Sequence, residues 1–393
     1  MAASWNDQMK GVCMKNTGIE GFSTAGLKRV GTILLVGMLS TPCFSAKSHE
    51  AVGWRSTAIP LVNFSTDDGA GYGVRVNLFE YDGASVPYRR KYSAQLFATT
   101  KGKWVHRLLV DIPKIRPGQR LEAELVYEKE DFANYYGNLT DEAVAARTKN
   151  ERTFAQAFPE LKVKWIRQLS GFWRLRAGGR MSYNDIKPNA DSGSILEDLA
   201  PRGSDGGAFF QLNSSIRYDS RDNYNNTVAG SLEEILVEYG IGGGGGEYNG
   251  SSISFHHRHF VPAREGEVVF AHRLDVDWTV GNLPFYEEFD LGGSSTVRGM
   301  ASARDRGEAR ILLNGELRWR GIRLGSGQQM YLGLAIFADA GQIFERDSLP
   351  KNGEWRDGFG AGLRYHWHST IVRADYGSSK NRSAIYITFA QVF

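Results

Sequence analysis

The chain has 393 residues, a formal net charge of +3 and 23% charged residues, enough for one large domain with nearly balanced charge. That balance argues against a nucleic-acid partner, and the slightly negative mean hydropathy argues against a helical membrane protein. The 46 glycines and 12% aromatic residues suit the turns and aromatic girdles of a membrane β-barrel.

The N-terminal segment has the layout of a secretory signal peptide. Two basic residues precede an apolar run over 30–44, which is interrupted by a proline and is too short to span a membrane as a helix. We therefore expect residues 1–46 to be a signal peptide, with Met14 as an alternative start of translation. Cys13 and Cys43, the two cysteines, both lie in this segment, so the mature chain would contain no disulfide.

After residue 50, apolar and polar residues alternate in blocks of about ten, which predicts β-strands. In residues 309–320 the apolar side chains fall on one face and the charged ones, including Glu316, on the other, with Leu312 as the exception. A charged strand face suits a wide, wet lumen, and an apolar face suits lipid. The alternation therefore favours a membrane barrel over a soluble sandwich.

The blocks predict an all-β fold: a closed antiparallel transmembrane β-barrel of about sixteen strands over residues 59–393, after a short periplasmic lead over 47–58. Long connections near 131–152, 188–205 and 282–308 follow odd-numbered strands, and short turns mostly follow even-numbered ones, as in outer-membrane proteins. The predicted strands begin near Ile59, Tyr72, Lys91, Lys103, Arg120, Thr153, Gly171, Gly207, Gly230, Ser251, Glu267, Ala309, Gln329, Trp355, Ser369 and Ser383.

Three histidines, His256, His257 and His259, form a dense cluster in the tenth predicted strand, and the last two share a face. A metal site is conceivable, but no nearby cysteine or carboxylate pair completes it, so we expect lumen or interface histidines instead. No nucleophile-elbow or zinc-peptidase motif occurs. The sequence therefore predicts neither an enzyme nor a bound metal or cofactor.

Residues 285–300, FYEEFDLGGSSTVRGM, lie between the eleventh and twelfth predicted strands. They resemble the sixth extracellular loop of the BamA/TamA family, except that Met300 stands where the family has an aromatic residue. The matching residues are Gly292, Gly293, Val297, Arg298 and Gly299. The barrel-wall residues that resemble the family's strand motifs are Glu316, Phe337, Asp339 and Gly341.

The resemblance implies that the tip of this loop is folded into the lumen. If it is, Arg298 can offer its planar fork of donors to Glu316 and Asp339, and the neighbouring glycines let the backbone approach the wall. Our hypothesis is that Arg298 bridges these two carboxylates. The alternative is that Arg298 is one more solvated charge in the lumen.

The last predicted strand, Ile385–Phe393, ends on an aromatic residue. Ile385, Ile387, Phe389 and Phe393 fall on one face. A terminal aromatic on such a strand resembles the signal by which the barrel-assembly machinery recognises its clients, so that machinery is an expected partner for insertion. The simpler interpretation, that Phe393 is the last lipid-facing residue, agrees with the same pattern.

The family resemblance also implies a location and a function. Members reside in the bacterial outer membrane, contact its lipids, and insert or translocate proteins or lipids through a weak seam between the first and last strands. Full members carry polypeptide-transport-associated domains before the barrel, and the expected lead over 47–58 is too short for one. We therefore expect an insertion or translocation barrel lacking those domains, with a protein or lipid cargo, or alternatively a passive pore or structural surface barrel.

Overall fold

The computed structural model describes residues 51–243, 247–325, 330–350, 354–367, 370–380 and 382–393. The predicted signal peptide, with Met14 and both cysteines, lies outside the described residues. So do the predicted strand starts Gln329 and Ser369.

In the described part of the chain, sixteen strands form a closed antiparallel barrel, which confirms the predicted fold class and strand number. These strands are β1 (Val52–Ser65), β2 (Gly69–Asp82), β3 (Arg90–Thr99), β4 (Lys103–Arg116), β5 (Gln119–Asn134), β6 (Thr153–Gln168), β7 (Trp173–Pro188), β8 (Gly207–Asp219), β9 (Gly230–Gly242), β10 (Tyr248–Ala263), β11 (Val268–Asn282), β14 (Ala309–Arg323), β15 (Met330–Phe344), β16 (Arg356–Trp367), β17 (Thr370–Ser379) and β18 (Arg382–Phe389). Two short strands, β12 (Phe289–Leu291) and β13 (Asp305–Gly307), pair with each other inside the long loop.

The first strand is longer than the sequence predicts. It begins at Val52 rather than Ile59, because β2 continues to Asp82 and pairs with it along its whole length, from Val52 opposite Asp82 to Ser65 opposite Gly69. Residues 52–58, predicted as a periplasmic lead, therefore belong to the barrel.

The predicted alternation is visible in the exposure of the side chains. On β14, Leu313 and Leu317 are exposed on the outer face, and Asn314 and Glu316 are buried on the other. Leu312, the exception to the pattern, is also buried. Apolar side chains outside and polar ones inside are the arrangement of a barrel that crosses lipid.

The long connections 135–152, 189–206 and 283–308 lie at one end of the barrel, and short turns such as 117–118 and 264–267 lie at the other. The long loops mark the extracellular end and the short turns the periplasmic end. The loops hold two short helices, α1 (Asp141–Ala145) and α2 (Ile195–Leu199), and 3-10 turns occur at Asn150–Arg152, Arg264–Gly266 and Phe285–Glu287. No helix among the described residues is long and apolar enough to cross a membrane.

Candidate functional site

The candidate site is centred on the long loop, residues 283–308, which connects β11 to β14. Its two arms pair as β12 and β13, with Phe289 opposite Gly307 and Leu291 opposite Asp305. The motif predicted from the sequence forms the turn between these arms. The hairpin therefore presents Gly292 to Gly299 as its tip.

Arg298 is fully buried and bonded to both carboxylates named in the sequence hypothesis. Its Nε and Nη2 donate to the two oxygens of Asp339 at 2.7 and 2.8 Å, and its Nη1 donates to Glu316 Oε1 at 2.5 Å. The guanidinium carbon lies 3.4 Å from the centre of the Phe337 ring, within range of a cation–π interaction. The planar fork bonds Asp339 through two parallel donors and Glu316 through a third, and the compact ammonium of a lysine could not reproduce this bidentate geometry.

The network extends further than the sequence predicts. Asp375 on β17 accepts from Arg298 Nη1 at 3.3 Å and from Arg364, and Glu316 also accepts from Arg318 Nε at 2.7 Å. These extra partners neutralise the buried carboxylates from several sides. Asp375 was not selected from the sequence, although its alternation with Ala374 and Tyr376 in the fifteenth predicted strand was a signal that could have found it.

Missing side chains allow the tip to approach the wall. A Cβ on Gly358 would lie 2.2 Å from the Arg298 carbonyl oxygen, and one on Gly377 would lie 2.9 Å from the Arg298 carbonyl carbon. Gly299 has a φ of +101°, and a Cβ there would meet the backbone of Ser378 at 2.7 Å. Gly299 is therefore required both for its conformation and for the close contact.

The remaining predicted loop residues shape the turn and its apolar side. Gly292 N donates to Thr296 Oγ1 at 2.7 Å, and Gly293 N donates to the Met300 carbonyl at 3.2 Å. An apolar cluster joins the loop to the wall, and it consists of Leu291, Val297, Met300 and Leu312, with Ile343 beside it. The predicted wall glycine, Gly341, faces Leu291. A Cβ on Gly341 would lie 2.8 Å from Leu291 Cδ2, so the missing side chain leaves room for this leucine.

This cluster explains two departures from the sequence patterns. Leu312 breaks the alternation of its strand because it packs against the loop instead of facing water. Met300 fills part of the same cluster, and its flexible side chain suits an irregular apolar gap.

The tip contacts strands on several sides of the barrel. Arg273 on β11 donates to the Ser295 carbonyl at 2.6 Å, and Tyr386 on β18 accepts from Gly299 N at 3.2 Å. These contacts are with residues on the polar inner face, on strands that extend around the barrel from β11 to β18. One loop can reach all of them from inside a closed sheet. We infer that the loop tip lies in the lumen.

The junction of β1 and β18, called the seam below, has far fewer register partners than the other strand pairs of the described barrel. In the described residues, β1 pairs with β18 through Phe64 opposite Ile387 and Ser65 opposite Tyr386, at the extracellular end. Beside these pairs, Arg382 Nη2 donates to Asp67 at 2.7 Å. Below them, residues 52–63 have their ladder partners on β2 alone.

The C-terminal residues correct the prediction for the last strand. Ile385, Ile387 and Phe389 face outward as expected, but β18 ends at Phe389 and Ala390 adopts a φ of 65°. Phe393 then packs inside against Phe260 and Ala271, and Arg318 Nη2 donates to the main-chain oxygen of Phe393 at 3.2 Å. The centre of the Phe393 ring lies 5.5 Å from the guanidinium carbon of Arg273 and 5.0 Å from that of Arg318. These cation–π contacts favour the inward position of the ring over one in lipid.

The histidine cluster divides between the two faces of the barrel. His256 lies on the polar face, with Nε2 3.5 Å from Asp277 Oδ1. His257 and His259 lie on the outer face. Within the described residues, no group of three or more histidine, cysteine, aspartate or glutamate side chains is arranged to hold a metal ion.

A closed antiparallel barrel with an apolar outer face and a polar inner face is the fold of a bacterial outer-membrane β-barrel protein. The family model of the Omp85 superfamily domain matches residues 116–385, and the chain belongs to this superfamily. Its place is the bacterial outer membrane.

Solved structures agree with this assignment of the fold. The chain is similar to BamA from Haemophilus ducreyi lacking POTRA domains 1–3, with a TM-score of 0.61, 13% identity, and coverage of 85% of this chain and 70% of that one. It is also similar to CdiB from Escherichia coli (TM-score 0.59, 12% identity, 85% of this chain and 62% of that one) and to CdiB from Acinetobacter baumannii (0.52, 12%, 85% and 59%). The chain thus spans about three fifths of the two CdiB chains. A comparison with curated proteins gives no match.

Proposed function

We propose that this barrel inserts or translocates polypeptides, or lipids, at the outer membrane, and that it opens at the seam. The observation that carries the proposal is the pairing of β1 with β18, which is confined to the extracellular end in the described residues. An unpaired strand edge is a template for the strand of another chain. A client strand could therefore add to β1 by backbone hydrogen bonds.

The energetic difference between the seam and the other strand pairs supports this choice. Each backbone hydrogen bond contributes about 1 kcal/mol net. Parting β1 from β18 breaks the bonds of two residue pairs, those of Thr66 with Ile385, and the Arg382–Asp67 contact. Parting β1 from β2 would break a ladder that runs from Val52 to Ser65. The seam is therefore the weakest junction.

The long loop determines which side of the seam moves. Tyr386 is fully buried, accepts from Gly299 N at 3.2 Å, and donates to the Met300 carbonyl at 3.4 Å. These bonds fix β18 to the loop and, through Arg298, to the wall. In contrast, β1 is held along its length by β2. Opening at the seam would thus move the β1–β2 hairpin and leave β18 in place.

A polar cavity lies beside the paired end of the seam. It has a volume of about 1080 Å³, and Asp67, Lys103, Glu130 and Arg382 are among the side chains that line it. Side chains of both charges can bond the polar backbone groups of a passing polypeptide, which an apolar pocket would leave unpaired. The cavity adjoins the extracellular loops, so a polypeptide in it would lie at the extracellular end of the seam.

A disulfide across the seam tests the proposal. Residues 47–393 contain no cysteine, so Phe64→Cys with Ile387→Cys would form a single bond between register partners. The matched control, Val74→Cys with Leu96→Cys, joins register partners on β2 and β3. Deletion of the gene should remove one defined class of outer-membrane protein or lipid. The control pair should restore it, whereas the oxidised seam pair should restore it only after reduction.

Two results would contradict the proposal. The first is full restoration by the oxidised seam pair. The second is an unchanged outer membrane after gene deletion, together with a steady single-channel conductance that rises when residues 285–300 are removed. That combination would indicate a passive pore or a structural barrel, in which the loop serves as a plug.

A further inference from the structure

Three histidines from two strands meet on the outer face of the barrel. The ring centre of His272, on β11, lies 5.2 Å from that of His257 and 5.5 Å from that of His259, both on β10. Their strands carry exposed Phe255 and Phe270 on the same face. Three imidazoles therefore lie where lipid-facing apolar residues are expected.

A carboxylate completes this group. Glu233 on β9 is opposite His257 in the ladder, and its Oε1 lies 3.4 Å from His257 Nδ1. Ser231 Oγ donates to the other oxygen of Glu233 at 3.2 Å. We call Glu233, His257, His259 and His272 the imidazole patch. Ionisable side chains on a lipid-facing surface are costly, and they mark functional sites where they occur.

The patch lies towards the periplasmic end of the barrel. The turn at Arg264–Gly266 connects its two histidine strands, and exposed Val261 and Phe270 lie between the patch and that turn. Apolar side chains thus flank the patch on the periplasmic side as well as on the extracellular side. The patch therefore lies in the half of the outer wall that faces the periplasmic leaflet.

A groove extends sideways from the patch across the outer wall. It has a volume of about 500 Å³, and its outward-facing lining consists of His257, His272, Leu274, Leu313, Gly315, Ala338 and Ala340. Gly315 lies opposite Ala338 in the ladder between β14 and β15, so two small residues thin the wall at this point. Large apolar side chains such as Ile336, which is 59% exposed, stand beside it. An apolar groove next to polar side chains matches the two parts of a lipid.

We propose that the imidazole patch and its groove bind one phospholipid with an ethanolamine headgroup from the periplasmic leaflet. The imidazole N–H groups can donate to the phosphate, and the Glu233 carboxylate can accept from the ammonium group. The phosphate and the ammonium group are neighbours in this headgroup, and the imidazoles and the Glu233 carboxylate are neighbours in the patch. A choline headgroup has no N–H to donate, and a glycerol headgroup has no positive charge for Glu233. The groove takes an acyl chain.

Lipid retention tests this site. The purified full-length protein would be extracted from nanodiscs that contain equal amounts of phosphatidylethanolamine, phosphatidylglycerol and phosphatidylcholine, and native mass spectrometry would count the lipids that stay bound. Wild-type protein should retain one phosphatidylethanolamine. The triple variant His257→Gln, His259→Gln, His272→Gln should retain about fivefold less, because it loses roughly 1 kcal/mol of binding free energy. Heat-modifiable migration checks that each variant is folded.

A matched control comes from the same outer surface. His106 on β4 also faces outward, where its ring lies between those of Trp104 and Tyr127, away from the patch. His106→Gln should retain the lipid as wild type does. Glu233→Gln should lose the preference for ethanolamine over glycerol headgroups while still binding lipid. Soluble phosphoethanolamine in millimolar excess should leave the bound lipid in place, because it has no acyl chain for the groove.

Three outcomes would overturn the proposal. These are equal retention by the triple variant and wild type, equal retention of the three lipids by wild type, and displacement of the lipid by soluble phosphoethanolamine. The last outcome would show that the groove holds no acyl chain.

Discussion

The wall formed by β14 to β17 and the seam between β1 and β18 differ in how firmly their strands are held. Against the wall, Arg298 is bonded to both Glu316 and Asp375, and all three side chains are almost completely buried. At the seam, Val52 and Trp54 are 74% and 55% exposed, and the strand edge has partners on one side. The barrel is thus reinforced where the loop contacts the wall and weakly joined where β1 meets β18.

This difference follows from the physics of closed sheets. A closed barrel normally leaves no strand edge, so an open edge must be tolerated by a structure that is stable without it. A buried charge network alone adds little stability, but removing one of its members is expensive, because the remaining charges stay buried. Substitutions in the loop network should therefore destabilise the protein strongly, whereas substitutions at the seam should affect its stability little.

Removal of the central arginine should have the largest effect. Arg298→Ala leaves Glu316, Asp339 and Asp375 without their shared donor, and we expect a loss of about 3–5 kcal/mol of unfolding free energy. Urea unfolding followed by tryptophan fluorescence measures it. The control is Arg107→Ala, whose partner Glu124 is 3.3 Å away and whose side chain is 43% exposed, so about 0–1 kcal/mol is expected. Similar losses in the two variants would contradict the wall's special role.

Removal of the inward leucine should rank second. Leu312→Ala opens a cavity beneath Leu291, Val297 and Met300, and we expect a loss of about 2–4 kcal/mol. Hydrogen exchange of residues 289–307 should rise in this variant. Leu313→Ala, on the outer face of the same strand, should leave loop exchange unchanged. Faster loop exchange in both variants would mean that the loop responds to the strand as a whole and not to this contact.

Release of the C-terminal residue should have a smaller effect and should change the seam. Phe393→Ala removes the ring that Arg273 and Arg318 face, at a cost of about 1–2 kcal/mol. The freed tail can then extend β18, and the register of Phe64 opposite Ile387 places Val392 opposite Ile59. A disulfide between Ile59→Cys and Val392→Cys should form faster with Phe393→Ala than with Phe393→Tyr, which keeps the ring. Equal rates would show that the ring does not hold the tail inside.

A pH change should have the smallest effect. Burial raises the pKa of Glu288, in the long loop, to about 7, above its unfolded value of 4.5. The folded protein therefore binds this proton more tightly, and stability falls as the pH rises from about 5 through 7. We expect a decrease of up to roughly 1 kcal/mol, because Glu288 is partly open to water. Glu288→Gln should show a flatter pH profile of the urea midpoint, and an unchanged profile would contradict this assignment.

The sequence allowed the strands and the centre of the site to be predicted for a common reason. Alternation with a period of two is a local property, and it is visible in β14 without knowledge of its neighbours. Arg298, Glu316 and Asp339 were predicted together because a recognisable motif and two polar strand faces pointed to them. The contacts of Arg298 with both carboxylates are present in the structure.

What could not be predicted depends on neighbours that are distant in the sequence. Asp375 meets Arg298 because β17 lies at the right height in the barrel, and a one-residue change of register would turn it outward. Phe393 continued the alternating pattern of β18, but two arginines from β11 and β14 attract it inward. His272 gave no local signal at all, because its partners come from β10.

Hydrogen exchange of the barrel in nanodiscs, resolved by peptide, tests the central claim most directly. The account predicts that residues 52–63 exchange much faster than residues 309–323. Among the described residues, the amides of 52–63 that point to the seam have no strand partner, whereas β14 is paired on both sides and contacts the loop. Comparable protection of the two segments would contradict it, since the seam would then be as firmly closed as the wall.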